Sequence, residues 1–325
     1  MRSTNVMNGS QSGLSLIELM VSITIGLILL AGMTTLFINQ SRTQSGLERS
    51  GRMIENGRYA MQLLAGELQL AGYYGVLDPG TTTSGMPDPC ATDPADLDAA
   101  MPVHVQGYND ATAGTAPSCI VDLKEGTDIL VVRRAETTRR DINAAPLDPG
   151  NLTRYLQVTL CRTDPEGAYT VDRLQSNFTW RDRDCVALAE VRRVLSRIYY
   201  IANNHQAGDG IPTLKRVELD AFGTMSAPQA LVEGIEHMQL LYGRDNDVDG
   251  VIDDFDDCAG CTEANFIDTL AVGVHVLARD LEATGGYTDT RTYDLGGVSV
   301  TPGGAFKRHV YSQFVRLQNP AGRRE

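Results

Sequence analysis

The feature that most constrains this chain is an apolar run near its N-terminus. From Leu14 to Ile38 the sequence has no proline and one charged residue, Glu18. A helix of this length measures ~37 Å, enough to cross a ~30 Å hydrocarbon core with some tilt. The run is longer than the apolar region of a cleaved secretory signal and it carries an acid. It therefore predicts a single transmembrane helix over residues 14–38.

Glu18 distinguishes this run from an ordinary membrane anchor. A carboxylate inside a bilayer costs about 2.5 to 3.5 kcal/mol even on lenient scales, so it normally has a partner. The run itself contains no cation. Cleavage between Gly13 and Leu14 would create an ammonium group one helical turn away, ~6 Å along the axis. That amine, on the same helix or on a neighbouring one, would neutralise Glu18 and dock one subunit on another.

These residues also carry a resemblance to a known signal. The stretch Gly13-Leu-Ser-Leu-Ile-Glu18-Leu-Met20 follows a short polar leader, residues 1–13, and resembles the class III prepilin signal of type IV pilins. The resemblance implies cleavage after Gly13 by a prepilin peptidase, N-methylation of Leu14, and a role for Glu18 in aligning subunits. The sequence departs from the family at Leu14, where phenylalanine is usual.

The helix is predicted to continue beyond the membrane, over residues 39–72. Leu47, Ile54, Met61 and Leu68 recur every seven residues, which gives one apolar face, while Glu67 is expected to lie largely off it. The neighbours that widen this face are Tyr59, Leu63 and Leu64. In a pilin, such a face packs on the subunit's own sheet, and the membrane half of the helix contacts other subunits.

A globular domain is predicted over residues 73–325. Seven runs have the composition of strands, and the alternation is clearest in the sixth: 127–133, 155–161, 189–202, 213–220, 238–242, 270–279 and 310–317. Residues 230–238 are the one fair helix candidate in this part of the sequence. The expected fold class is α+β and pilin-like, with a long N-terminal helix packed on a mainly antiparallel sheet.

An even number of cysteines behind an export-type N-terminus indicates disulfides. The six are Cys90, Cys119, Cys161, Cys185, Cys258 and Cys261. Six cysteines allow fifteen connectivities, and their order along the chain suggests three local pairs. The CxxC formed by the last two would be a structural bridge, a redox pair or half of a zinc site.

An aspartate-rich segment over residues 245–257, the acidic loop, carries the strongest chemical motif. It matches the first half of an EF-hand calcium loop, with oxygen ligands at alternate positions and Gly250 at the sharp turn. The candidate calcium ligands are Asp245, Asp247, Asp249, the Val251 carbonyl, Asp253 and Asp256. The last ligand is aspartate where the EF-hand has glutamate, and no helix pair flanks the loop. The alternative is a solvated acidic turn without a cation.

Three further segments extend the resemblance to the PilW type of minor pilins. They are residues 126–134, residues 234–243, which lead into the acidic loop, and residues 306–319. The resemblance implies a low-abundance subunit that joins other minor pilins and the major pilin, primes pilus assembly and is found at the fibre tip, often with a large adhesin. The expected location is a single pass through the inner membrane with a periplasmic C-terminal domain, followed by the pilus tip at the cell surface.

Charge and motif content exclude several other classes of protein. The chain has a net charge of −13 and no basic stripe, so direct nucleic-acid binding is not expected. No HExxH, GxSxG or P-loop is present, and the five histidines are scattered, so the chain is not expected to be an enzyme. Arg2 alone precedes the apolar run and four arginines follow it, so charge counting opposes the expected orientation; the cysteines and the prepilin signal favour it. The alternatives are a pseudopilin of type II secretion, a calcium-dependent adhesion module and an exported hydrolase.

Overall fold

The computed structural model describes residues 13, 15–147 and 150–324. They form four α-helices: α1 (Leu16–Gln69), α2 (Pro94–Ala99), α3 (Glu263–Ile267) and α4 (Gln318–Gly322). The strands are β1 (Val105–Ala111), β2 (Thr127–Ala135), β3 (Tyr155–Val158), β4 (Tyr169–Asp172), β5 (Val191–Ala202), β6 (Thr213–Glu218), β7 (Gln229–Glu233), β8 (Ile235–Arg244), β9 (Asp254–Asp256), β10 (Thr269–Arg279), β11 (Tyr293–Leu295), β12 (Val298–Val300) and β13 (Arg308–Arg316). Contacts divide the chain into an N-terminal unit that ends at Arg49 and a C-terminal unit that begins at Ser50.

The N-terminal unit is the first part of α1. Its apolar side chains are all exposed, and it is long and apolar enough to cross a membrane. The hydroxyl groups between Leu16 and Ile38 do not need water, because each donates a hydrogen bond to a carbonyl one turn back in the helix. These residues are Ser22, Thr24, Thr34 and Thr35. The prediction of one long N-terminal helix is confirmed.

The C-terminal unit contains two antiparallel sheets and a small hairpin. In the seven-stranded sheet the order is β1-β2-β5-β3-β4, and β6 joins β5 to β7. The four-stranded sheet has the order β13-β10-β8-β9, and β11 pairs with β12. The seven runs expected to be strands correspond to β2, β3, β5, β6, β8, β10 and β13, so the α+β prediction is confirmed. The remaining strands are short or alternate poorly, which is why the sequence did not reveal them.

The part of α1 from Ser50 onward shares one hydrophobic core with residues of both large sheets. Its buried residues are Met53, Gly57, Ala60, Met61, Leu64, Ala65 and Leu68. Of the predicted apolar face, Met61, Leu64 and Leu68 are buried. Leu47, Ile54 and Tyr59 are 69%, 46% and 53% exposed, so their assignment to a buried face was wrong. The buried face combines methionine and leucine side chains with alanine and glycine, and glycine is required where another residue comes close. At Gly57, a Cβ would overlap the ring of Tyr311.

Glu67 is the charged member of the packed face. Its carboxylate accepts hydrogen bonds from Arg134 on β2, at 3.3 Å, and from Arg197 on β5. Burial alone would raise the pKa of Glu67, but the two guanidinium groups outweigh burial and hold the pKa below its usual value. The expectation that Glu67 lies off the packed face was therefore wrong: it ties α1 to the central strands of the larger sheet.

Replacing Glu67 with glutamine is expected to destabilise the protein by about 2 to 4 kcal/mol at neutral pH, because two largely buried cations lose their shared anion. A lowered pKa means that this stabilisation is present above the usual glutamate pKa and is lost as the pH falls through the folded-state value. The difference between the wild type and Glu67→Gln should therefore shrink below about pH 4. Urea unfolding of the full chain in detergent at several pH values measures this, with exposed Glu55→Gln as the control. An equal loss at pH 3 and pH 7 would contradict the ion-pair explanation.

The helix predicted over residues 230–238 does not form. This segment contains the end of β7 and the start of β8, which pair with β6 and β10 respectively. Gly234 stands between them at φ +76°, a left-handed conformation that interrupts any helix. The short apolar run fits either period, and pairing with existing strands decided the outcome.

Candidate functional sites

The predicted processing site lies at the start of the described chain. Gly13 is exposed, and Leu14 lies outside the described residues, as do residues 1–12 of the leader. Glu18 lies in the first turn of α1, where its backbone N–H donates to the Ser15 carbonyl at 3.0 Å. Its side chain is exposed, and among the described residues no cation lies within 4 Å of it. The carboxylate is therefore available to an amine from a processed N-terminus or from another subunit.

The acidic loop begins directly after β8, includes β9 near its end, and folds around the buried side chain of Asp245. The Asp245 carboxylate accepts the backbone N–H groups of Asp249 and Gly250, at 3.1 and 3.0 Å. Gly250 has φ +85°, so the sharp turn expected of a glycine at this position is present. Asp249 in turn accepts the N–H of Val251 at 2.8 Å. The loop thus closes on its own first aspartate.

Asp245 has a built-in counter-charge. Arg324 donates to its Oδ2 atom at 2.9 Å and also to a carboxylate oxygen of Asp268, and all three side chains are buried or partly buried. Burial would raise the pKa of Asp245, but the hydrogen bond from Arg324 and the N–H of Gly250 hold it below its usual value. No spacing in the sequence connects Arg324 with a loop about eighty residues earlier, so sequence reasoning missed this partner.

The structure gathers three of the predicted calcium ligands. One oxygen each of Asp245, Asp247 and Asp253 lie within 4.8 Å of one another. Repulsion from Asp249 and then burial, Asp253 and Asp245 raise the pKa of Asp247 above its usual value, as expected where carboxylates crowd without a cation.

The other predicted ligands lie outside this group of three carboxylates. Asp249 uses one oxygen for the Val251 N–H, and Val251 is exposed. Asp256 belongs to β9, where it faces Arg244 at 3.5 Å and accepts the N–H of Cys258. The arrangement therefore matches the EF-hand pattern only in part: positions 1, 3 and 9 come together, whereas Asp249 and Asp256 are engaged elsewhere.

The six cysteines form three disulfides among the described residues. They join Cys90 to Cys119, Cys161 to Cys185 and Cys258 to Cys261. These are the three local pairs that the order along the chain suggests. The CxxC bridge closes the end of the acidic loop, directly after β9. In this state its two sulfurs are bonded to each other and neither is a free thiolate.

Two histidines have defined partners. His104 is buried with Nε2 2.9 Å from the Thr269 carbonyl, and burial lowers its pKa to about 4. His275 Nδ1 lies 2.8 Å from Ser312 Oγ, while its other nitrogen faces Gly296. In the described part of the chain that nitrogen has no hydrogen-bond partner, so the pair lacks the third group that orients a catalytic histidine.

Comparison with known proteins gives two family matches. Residues 198–319, from within β5 to α4 and including the acidic loop, match the model described as type IV pilus-assembly protein W. Residues 8–34 match the prokaryotic N-terminal methylation motif. Among solved structures, a type IV-like pilin from Thermus thermophilus aligns over 83% of this chain and 97% of its own, at 11% identity and a TM-score of 0.37. No curated protein matches the chain.

Proposed function

Because this chain belongs to the PilW type of type IV pilins, we propose that it is a minor pilin that primes pilus assembly and sits at or near the fibre tip. The observation that carries this proposal is the contrast within α1. Its apolar side chains up to Ile38 are exposed, whereas one face of the part from Met53 to Leu68 is buried in the C-terminal unit. An exposed apolar helix with one acid suits a subunit that waits in a membrane and then packs against other helices.

The family defines the general partners. A pilin assembles with other pilins after a prepilin peptidase has processed its signal, and the match over residues 8–34 covers that signal. We propose in addition that the C-terminal unit is periplasmic, that the neighbours are other minor pilins and the major pilin, and that a tip adhesin docks on this subunit. Three disulfides support an oxidising compartment for this unit.

The proposal is tested by complementing a deletion strain. Wild-type protein should restore surface fibres, whereas Glu18→Gln should restore at least several-fold fewer, because a neutral amide no longer pairs with a charged N-terminus. Electron microscopy counts the fibres, and mass spectrometry checks that the variant is still processed. Glu48→Gln, on the same helix but outside the apolar run, is the matched control.

The same strains separate the alternatives. Normal fibre numbers in the deletion strain together with a loss of protein secretion would reject the pilus role in favour of a type II secretion pseudopilin. Full restoration of fibres by Glu18→Gln would contradict the proposed role of Glu18 in docking subunits.

We also propose that the acidic loop binds calcium through Asp245, Asp247 and Asp253. Support comes from the gathering of their oxygens within 4.8 Å and from the mutual repulsion that raises the pKa of Asp247. Hard oxygen ligands of this kind suit calcium, and waters would complete the coordination. Bound calcium would stiffen the segment between β8 and β9 without taking part in any reaction.

Calcium is expected to raise the melting temperature of the wild-type chain, because it binds the folded loop and not the unfolded chain. At a hundredfold excess over Kd the gain is about 2.7 kcal/mol. The double variant Asp247→Asn, Asp253→Asn should lose this response and be at least as stable as the wild type in chelator, since the repulsion is relieved. Asp257→Asn, outside the group, should keep the response. Identical melting of the wild type in calcium and in chelator would exclude the site.

A further inference from the structure

A groove runs along the surface of the C-terminal unit between α1 and β13. One wall is the stretch of α1 from Arg58 to Gln69, the other is formed by Tyr311, Ser312 and Gln313, and the volume is about 640 Å³. Gly66 keeps the α1 wall of the groove low, since an added Cβ there would meet no atom within 4 Å. The stretch of α1 is ~17 Å long, so the groove accommodates about five residues of extended chain.

The strand that borders this groove has an unpaired edge. β13 is the outermost strand of the four-stranded sheet, and β10 is its only ladder partner among the described strands. Two hydrogen bonds fix the phase of that ladder, Leu317 N–H to the Leu270 carbonyl and Asp280 N–H to the Lys307 carbonyl. The backbone N–H and C=O groups of the odd-numbered residues of β13 therefore point toward β10.

It follows that the backbone N–H and C=O groups of Val310, Ser312 and Phe314 point away from the sheet. Within the described residues these groups have no backbone hydrogen-bond partner. An open row of donors and acceptors beside a groove is a template for one more strand. Consecutive strand residues line the groove, so an extended segment fits there better than a helix, whose backbone groups are already paired.

The charge of the groove indicates what kind of segment would enter it. Arg58 is its charged residue, it is exposed, and among the described residues no carboxylate lies within 4 Å of it. The whole chain carries a net charge of −13, so a groove wall with a cation and no acid contrasts with the rest of the protein. A partner segment with carboxylates complements it, whereas a basic segment would meet Arg58 as a like charge.

We propose that this groove binds an extended, acid-bearing segment of a partner subunit, which adds a strand to the free edge of β13. Backbone hydrogen bonds to Ser312 and Phe314 hold the segment, an acidic side chain pairs with Arg58, and small or apolar side chains lie over Ala65 and Gly66. The interface is separate from the apolar part of α1 and does not depend on calcium. It gives the subunit a second, directional contact besides helix packing.

The test uses the full chain in detergent and two fluorescent peptides of about seven residues. One alternates valine with aspartate and the other alternates valine with lysine. Fluorescence anisotropy should show saturable binding of the acidic peptide and at least tenfold weaker binding of the basic one. Equal binding of both, or no binding of either, would overturn the proposal.

Two variants address the two parts of the site. Gly66→Leu adds a side chain at a position where a Cβ meets no atom within 4 Å, and it is expected to abolish binding of the acidic peptide, while the protein melts no lower than the wild type. Arg58→Glu should weaken binding about tenfold and remove the preference for the acidic peptide. Gly51→Leu is the matched control, because it also adds a side chain to open space on α1, outside the groove. Unchanged binding by Gly66→Leu would reject the groove as the site.

Amide hydrogen exchange distinguishes strand addition from any other mode of binding. With the acidic peptide bound, the outward amides of Ser312 and Phe314 should exchange at least tenfold more slowly. The amide of Gln313, which faces β10, should change little. If anisotropy shows binding but these two amides are not protected, the peptide binds elsewhere and the proposal is wrong.

Discussion

Gly107→Val is expected to be the most destabilising single substitution in the core. Gly107 lies on β1, and a Cβ at this position would overlap the hydroxyl of Tyr242 on β8. Tyr242 cannot move aside, since it is 1% exposed and its ring packs edge-on against Phe266, with centroids 5.2 Å apart. Overpacking at such a point costs about 3 kcal/mol, which lowers the melting temperature of a chain this size by about 6 to 12 °C.

Differential scanning calorimetry of the full chain in detergent measures the effect. Gly107→Ala should be intermediate, because its single methyl group already meets the Tyr242 hydroxyl. Gly66→Ala is the control, since its Cβ enters open space and alanine favours a helix by up to about 1 kcal/mol over glycine. If Gly107→Val melts with the wild type, the two sheets approach each other less closely at this point than the structure has them.

Gly13→Leu is expected to block maturation of nearly all the protein. The cut predicted between residues 13 and 14 is expected to need a small residue at Gly13, so a leucine there should leave full-length precursor in the membrane. Without cleavage no new ammonium forms one turn from Glu18, and the unpaired carboxylate remains unfavourable in free energy inside the bilayer. Precursor should accumulate and fibres should disappear.

Mass spectrometry of the N-terminus distinguishes precursor from mature protein directly. Gly26→Leu is the matched control, because it makes the same change in the same apolar run but away from the cut, and it should be processed normally. A Gly13→Leu protein that still begins at residue 14 would show that the cut does not depend on this glycine.

Local patterns made most of the architecture predictable. An uninterrupted apolar run fixes the first part of α1, and the alternation in residues 270–279 fixes β10, because both signals depend on neighbours in sequence. The disulfide partners follow each other along the chain, so their order indicated the pairs.

The errors and omissions involve contacts between distant parts of the chain. Ile54 fits a seven-residue spacing but faces outward, because the sheets contact the stripe that contains Gly57 and Ala60 instead. In the acidic loop, the sequence showed the alternating aspartates but not the arginine that pairs with the first of them. Arg324 reaches Asp245 only through the turn of α4, and Asp256 is drawn away by its place on β9. A pattern of aspartates in a sequence identifies candidate metal ligands, but it does not show which of them pair with other residues of the protein.

The way α1 is enclosed has a consequence for how the molecule reaches its native state. Tyr311 donates to the Ile54 carbonyl across 257 residues, and Glu67 meets Arg197 across 130. Such distant pairs close late, and chains that depend on them fold slowly. During synthesis the buried face of α1 emerges early and is not fully covered until the last strand, β13, has been made. This face is therefore most open to proteolysis and wrong pairing before β13 is in place, and a holding chaperone would have its greatest effect in that interval.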